Sequence, residues 1–333
     1  MKLTIAIPTY NRNEILKANL EKLLPQVTDE CNVVIFDNCS DTPVKEVIEE
    51  LVNTYPDINI SIVRNRYNIG MTANILKCFE QCSDTWLWIL GDDDEVVDGA
   101  VAKILIDIDR QRELHFITYA WDEDSFKRDQ DIITTGIDEF IETFETFGAI
   151  LFLSTSVYNM SKVKSSMAFA NFFQTSYAPH LVMLFMSLGD EGKCSYSSEQ
   201  IVINGAEDTP EHLRWDMIFV YQLTLLLRLP LKPSTIAKLR KRLEQLTRVW
   251  NIHHFIFSLA FKSYEKGHIN KPTVLYGEIV RSFFYLDRRL STRFISWFGY
   301  FVVRYPFLFR WIFFRIFRVL KGREFQPNNN LRI

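Results

Sequence analysis

The chain has 333 residues, of which 47% are hydrophobic and 24% charged. That leaves room for one large or two ordinary domains and excludes a disordered chain. Lys+Arg 38 against Asp+Glu 41 gives a formal net charge of −3, which excludes a chain-wide basic protein built to coat nucleic acid. The charge is nonetheless split. Residues 1–100 carry 8 basic and 17 acidic side chains (8 − 17 = −9), and residues 288–333 carry 10 basic and 1 acidic (10 − 1 = +9). An acidic head and a basic, aromatic tail point to two different partners.

In chain order, Lys2–Ile7, Asn32–Phe36, Ile58–Val63 and Thr85–Leu90 are short apolar runs and are expected to be buried strands. Between them, Glu14–Leu24, Val44–Thr54 and Met71–Gln81 repeat apolar residues at helical spacing. This alternation predicts a mainly parallel sheet covered by helices, whose ligands collect at the carboxyl ends of the strands. His115–Trp121 is expected to be a further strand, Phe140–Leu153 a helix, Pro179–Leu188 an apolar helix and Cys194–Ile203 a late strand. Beyond Asp208 the pattern is mostly helical. The five cysteines show no metal spacing and are expected to be free thiols. The few apolar residues after Lys2 are too short for a signal peptide, so a cytoplasmic protein is expected.

Four strand ends carry polar or charged groups: Pro8-Thr9-Tyr10-Asn11-Arg12, Asp37-Asn38-Cys39-Ser40-Asp41, Arg64 to Gly70, and Gly91-Asp92-Asp93-Asp94-Glu95. Carboxylates clustered at the end of a buried strand repel each other, and a hard divalent cation relieves that repulsion while bridging phosphate oxygens. No G-x-x-x-x-G-K-[ST], no G-x-G-x-x-G after a strand and no H-E-x-x-H occurs, which disfavours P-loop enzymes, dinucleotide dehydrogenases and zinc peptidases.

The ordered motifs from Ile5 to Arg12, Asp37 to Asp41, Asn68 to Gly70 and Leu90 to Asp94 resemble those of family-2 glycosyltransferases, which invert the anomeric configuration and have the GT-A fold. The resemblance covers about residues 1–205 and implies an α/β, Rossmann-like mixed sheet with a C-terminal α-helical region. It also implies a nucleotide site of Pro8, Thr9, Tyr10, Arg12, Asp37, Asn38, Arg66, Asn68, Gly70, Asp92 and Asp93, with Asp37 accepting from the base. Mn²⁺ or Mg²⁺ would be held by Asp93 and Asp94. Family members usually write L-D-x-D-D where this chain has Gly91, so the register stays open between Asp92 with Asp94 and Asp93 with Asp94. An acceptor hydroxyl needs a general base. The Asp usual in the family is missing near residues 178–181, and His180 is the candidate there, with Asp190 and Glu191 in reserve. Trp215 and His212 are candidates for a flap over the acceptor.

Phe294 to Leu320 is rich in Phe, Trp and Tyr, and its only charges are Arg304, Arg310, Arg315 and Arg318. Four arginines and Pro306 fit a spanning helix poorly and a basic amphipathic segment in the headgroup plane well. The expected organisation is a catalytic domain over 1–205, a helical region over 206–287 and a membrane-docking tail over 288–333, touching the surface through 288–323. The expected activity is sugar transfer from a nucleotide-sugar, UDP-linked by preference, to a lipid-linked oligosaccharide or other glycan. It would take place on the inner face of the cell membrane, with no nucleic acid partner. A nucleotidyltransferase and a degenerate glycan-binding scaffold are the alternatives.

Overall fold

The computed structural model describes residues 2–121, 128–144, 147–203, 205, 222–249, 290–291, 293–294 and 297–298. The chain divides into two compact units, residues 1–213 with 225–239, and residues 214–224 with 240–333. The candidate flap residues His212 and Trp215, and most of the tail, lie outside the described residues.

The first unit is built on an eight-stranded sheet in the order β3-β2-β1-β4-β8-β6-β9-β7. Its strands are β1 (Leu3–Thr9), β2 (Cys31–Asp37), β3 (Asn59–Arg64), β4 (Trp86–Ile89), β6 (Leu114–Ala120), β7 (Ile132–Thr135), β8 (Ser156–Asn159) and β9 (Lys193–Gln200). A separate antiparallel pair joins β5 (Glu95–Val96) to β10 (Val202–Ile203). The helices are α1 (Asn13–Leu23), α2 (Val44–Asn53), α3 (Met71–Glu80), α4 (Ala100–Arg110), α5 (Gly136–Thr143), α6 (Gly148–Leu151), α7 (Met160–Val163), α8 (Met167–Phe172), α9 (Pro179–Leu188) and α10 (Pro233–Val249).

β1 lies between β2 and β4, parallel to both, and is covered on both faces, which is why its sequence runs apolar without alternation. One side of the sheet packs Ile5, Val33, Ile35 and Trp88 against Leu16, Leu20, Ile48 and Ile104. Elsewhere the core is aromatic: Tyr158 meets Phe79 at 5.1 Å and Phe116 at 5.0 Å, and Phe140 stacks on Tyr196 at 5.3 Å. α9 is apolar on nearly every face and is correspondingly buried, its residues 179–185 entirely so. Truncating a side chain as enclosed as Trp88 costs about 3–5 kcal/mol.

The first four strands and three helices fall where the apolar periodicity puts them. Further along, two expectations need correction. Residues 140–153 are not one helix: α5 stops at Thr143, Phe144 is extended (ψ 130°), and α6 and a 3₁₀ turn over Leu153–Thr155 follow. The late strand breaks at Ile201 into β9 and β10. β8 enters antiparallel between β4 and β6, which makes the sheet mixed, as the resemblance implied. All five cysteines are free, with Cys31, Cys78 and Cys194 buried.

Candidate active site

Because β1, β2 and β4 are parallel neighbours, the loops after them open on one sheet edge. The acidic run leaves β4 there. Asp92 Oδ2 accepts from Thr9 Oγ1 at 2.7 Å, and its Oδ1 accepts from Arg12 Nη1 at 2.9 Å. The same Arg12 nitrogen donates to Asp93 Oδ2 at 2.7 Å. Asn19 Nδ2 donates to the Asp92 carbonyl at 2.8 Å, tying α1 to the run. Asp94 accepts from the Ser154 hydroxyl on Oδ2 and from the Gly205 N–H, at 3.3 Å, on Oδ1. Ser154 Oγ also accepts from the Gly91 N–H at 2.8 Å.

Burial raises Asp92 to about 6 even though the Thr9 hydroxyl and the Arg12 charge pull it down. It raises Asp94 to about 7, with the Asp93 charge adding to it and Ser154 and Gly205 opposing. Burial lowers Arg12, but Asp92 and Asp93 outweigh it and leave the guanidinium above its usual value. Asp92 and Asp93 thus share one guanidinium, while Asp94 beside them is held by the Ser154 hydroxyl and the Gly205 N–H. Among the described residues no three His, Cys, Asp or Glu side chains converge as a finished metal cage. Hard carboxylate oxygens are the donor type that Mn²⁺ and Mg²⁺ take.

The β2 loop is braced to the β1 loop. Asn11 and Cys39, both at positive φ (54° and 70°), sit at the two strand ends. The Asn11 N–H donates to Ser40 Oγ at 2.9 Å, and the Asp41 N–H donates to Asn11 Oδ1 at 2.7 Å. Asp37 was expected to meet a nucleotide base, but its side chain is 0% exposed. Its oxygens accept from the Ser40 N–H (2.8 Å), the Val44 N–H (3.4 Å) and the Arg64 guanidinium. Those three donors occupy most of the carboxylate's capacity, so in this structure Asp37 braces the loop from beneath.

Asn38 Oδ1 accepts from Asn65 Nδ2 and the Ile69 N–H, each at 3.0 Å, while its Nδ2 donates to Asn68 Oδ1 at 2.9 Å. Asn68 Oδ1 also caps the Gly70 N–H at 2.8 Å. Gly70, at φ 84°, precedes α3 in a conformation that side-chain-bearing residues rarely adopt. Pro8 lies within β1, Tyr10 is exposed beyond it, and Arg66 lies 5.4 Å over the ring of Tyr67. The structure thus brings Thr9, Arg12, Asp92 and Asp93 into one contact set and Asn38, Asn68 and Gly70 into another.

His180 is corrected. It is 2% exposed, and neither ring nitrogen reaches a hydrogen-bond partner. Burial lowers it to about 3, with the Ile150 carbonyl, close by but outside hydrogen-bond geometry, pulling the other way. An imidazole that weakly basic does not take a proton from a hydroxyl at neutral pH. Asp190 is exposed and pairs with Lys232 at 2.5 Å, and Glu191 beside it is exposed. Among the described residues, no hydrogen bond or ion pair joins any of these three to the acidic run.

Ser154, Gly205 and Asn19 escaped the sequence reading, and Arg64 and Asn65 entered it only as part of a polar strand end. Ser154 lies in an unmarked Leu-Ser-Thr stretch, and only the broken helix brings it under Asp94. Gly205 had one available signal, a glycine just after a strand. A Cβ there would stand 1.6 Å from the Asp93 carbonyl oxygen.

A mixed sheet with its polar loops and a carboxylate run at the parallel strand ends is the architecture of a GT-A glycosyltransferase domain. Residues 4–160 match the family described as Glycosyl transferase family 2. The Salmonella typhimurium abequosyltransferase RfbV is 29% identical over 119 residues, 34% of this chain and 35% of that protein. The Campylobacter jejuni GalNAc(5)-diNAcBac-PP-undecaprenol beta-1,3-glucosyltransferase is 26% identical over 104 residues, 31% of this chain and 33% of its own. The matched segment therefore spans about a third of these relatives. S. aureus TarS 1-349 in complex with UDP-GlcNAc shares the fold, with a TM-score of 0.65 at 13% identity over 91% of this chain and 90% of that one.

Proposed function

We propose that this chain is an inverting glycosyltransferase, moving a sugar from a nucleotide-sugar donor, UDP-linked by preference, to a glycan acceptor carried on a polyprenyl diphosphate. The observation that carries the reading is the contact set of Thr9, Arg12, Asp92 and Asp93 beside Asp94, charge-deficient and open to a phosphate-bound cation. In this reading Pro8, Thr9, Tyr10 and Arg12, with Asn38, Arg66, Asn68 and Gly70, frame the nucleoside. Mn²⁺ or Mg²⁺ held by Asp93 and Asp94 neutralises charge on the leaving diphosphate when bound. The acceptor hydroxyl oxygen attacks the anomeric carbon from the face opposite the diphosphate. The bond to the diphosphate oxygen breaks with its electron pair, and the hydroxyl proton passes to a base.

TarS was solved with UDP-GlcNAc, and the Campylobacter relative is named for a polyprenol-linked acceptor, which supports a UDP-sugar and a lipid-linked glycan here. The proposed organisation keeps a catalytic domain over 1–205, a helical region over 206–287 and a tail over 288–333 that docks on the inner face of the membrane. Leu290, Phe294 and Trp297 are exposed, in keeping with such a tail. Among the described residues no helix is long and apolar enough to cross a membrane.

Thermal unfolding with nucleoside diphosphates and nucleotide-sugars, with and without Mn²⁺, tests the proposal. A ligand at about 100 times its Kd stabilises by roughly 2.7 kcal/mol. A metal-dependent shift with one base, lost in Asp93→Asn and Asp94→Asn, is expected, and no shift with any nucleotide would overturn the reading.

A further inference from the structure

A groove of about 450 Å³ opens between α3 and the α8 region, and its lining includes none of Thr9, Arg12, Ser154, Gly205 or the three aspartates of the run. Its polar groups are Asn65, Arg66, Lys77, Glu80, Asn171 and Gln174, Arg66 being shared with the proposed nucleotide site, and Tyr67 is among its apolar ones. Two aromatic rings here are strongly exposed: Tyr67 at 65%, in the groove wall, and Phe172 at 81%, next in sequence to Asn171. Ile69, Met71 and Phe169 are also exposed. Exposed apolar side chains in and beside a concavity that also carries amide and charged groups mark a binding surface.

We propose that this groove binds a neutral oligosaccharide, giving the acceptor glycan a second hold away from the reaction centre; the inference rests on the glycan-transfer reading. Sugar hydroxyls each donate and accept, which matches side-chain amides that do both, together with an ammonium and a guanidinium that donate and a carboxylate that accepts. The C–H face of a pyranose suits an exposed ring such as Tyr67, whose position is held by Arg66. A lipid chain fits poorly, because it would bury Lys77, Glu80 and two amides against hydrocarbon without replacing their water. The groove also reaches the nucleotide loop: Lys77 Nζ donates to Asn65 Oδ1 at 2.5 Å, and Asn65 Nδ2 donates to Asn38.

Saturation-transfer NMR on the full chain tests this with neutral tri- to pentasaccharides of glucose, galactose and N-acetylhexosamine units. Signal from at least one family is expected, falling fivefold or more in Tyr67→Ala and in Gln174→Ala, both surface changes that leave the core intact. No signal from any saccharide, or an undiminished signal in both variants, overturns the site. Tyr67-dependent binding to phosphatidylglycerol vesicles in place of saccharides overturns it too. The nucleotide-induced thermal shift is measured on the same samples. If it is absent while the saccharide signal persists, the transfer reading fails and the groove stands as a glycan site.

Discussion

One nitrogen of Arg12, Nη1, holds Asp92 and Asp93 together, at 2.9 and 2.7 Å. The Asp92 side chain is almost fully enclosed, so this guanidinium is what allows its charge to exist there at all. Removing it in Arg12→Gln leaves a buried, uncompensated carboxylate. Fully buried pairs cost about 3–5 kcal/mol when one partner is removed, and Arg12 is partly exposed, so about 2 kcal/mol is expected at pH 8. The loss shrinks at pH 5, where Asp92, already raised to about 6, takes up a proton. Urea unfolding of wild type and variant at the two pH values checks this. An equal loss at both would show that Arg12 acts through packing instead.

Asp94 gives the opposite result. Its folded pKa of about 7 lies above its unfolded value, so the unfolded chain binds fewer protons than the folded one in between. Stability is therefore fullest below about pH 4 on this account and is lost as pH rises through 7. Asp94→Asn removes that charge while keeping an acceptor for the Gly205 N–H. The ligand-free variant is expected to be more stable than wild type at pH 8, by about 1–2 kcal/mol, and no different at pH 4. Mn²⁺-dependent nucleotide binding should fall at least tenfold in the same variant. Calorimetry across pH, with and without Mn²⁺ and nucleotide, reads both effects.

Much of this arrangement was legible before the structure. β1 and β2 are buried on both faces, so their apolar runs are unbroken, and α2, α3 and α9 carry the apolar residues of packed helices. The polar groups after each strand follow directly once the strands are parallel. α4 went unremarked, although Val101, Ile104, Leu105 and Ile108 repeat at helical spacing. What resisted reading depends on contacts distant in sequence. β8 is only four residues long, and neighbours at both sides define it. Ser154 meets Asp94 across 60 residues. His180 reads as reactive from its type alone, and only the packing of α9 removes it from chemistry. Asp37 is a similar case, because Arg64, 27 residues on, claims it.

That claim has a measurable consequence. Asp37→Ala would strand the Ser40 and Val44 N–H groups and take the counter-charge from Arg64, leaving it the Ser40 carbonyl. The expected cost is about 3 kcal/mol of folding stability, visible in denaturant unfolding without any ligand. A residue that only touched a nucleotide base would leave ligand-free stability unchanged and lower affinity alone.

Gly91 stands where family members usually carry an acid. A Cβ at this position would lie 2.4 Å from Asp94 Oδ2 and 3.2 Å from Ser154 Oγ. The obstructing atoms are the ends of two side chains, so the fold can yield by turning Asp94 away. Gly91→Ala is therefore expected to cost under about 1 kcal/mol in stability. Its effect falls on Asp94, which loses the Ser154 contact and the orientation that contact fixes. Mn²⁺ affinity in the presence of UDP, followed by the electron paramagnetic resonance of free Mn²⁺, should drop about tenfold. Ser154→Ala should weaken it in the same direction, and the double variant should be little worse than either alone, since both act through one carboxylate. Additive losses would mean that Gly91 and Ser154 serve the metal separately.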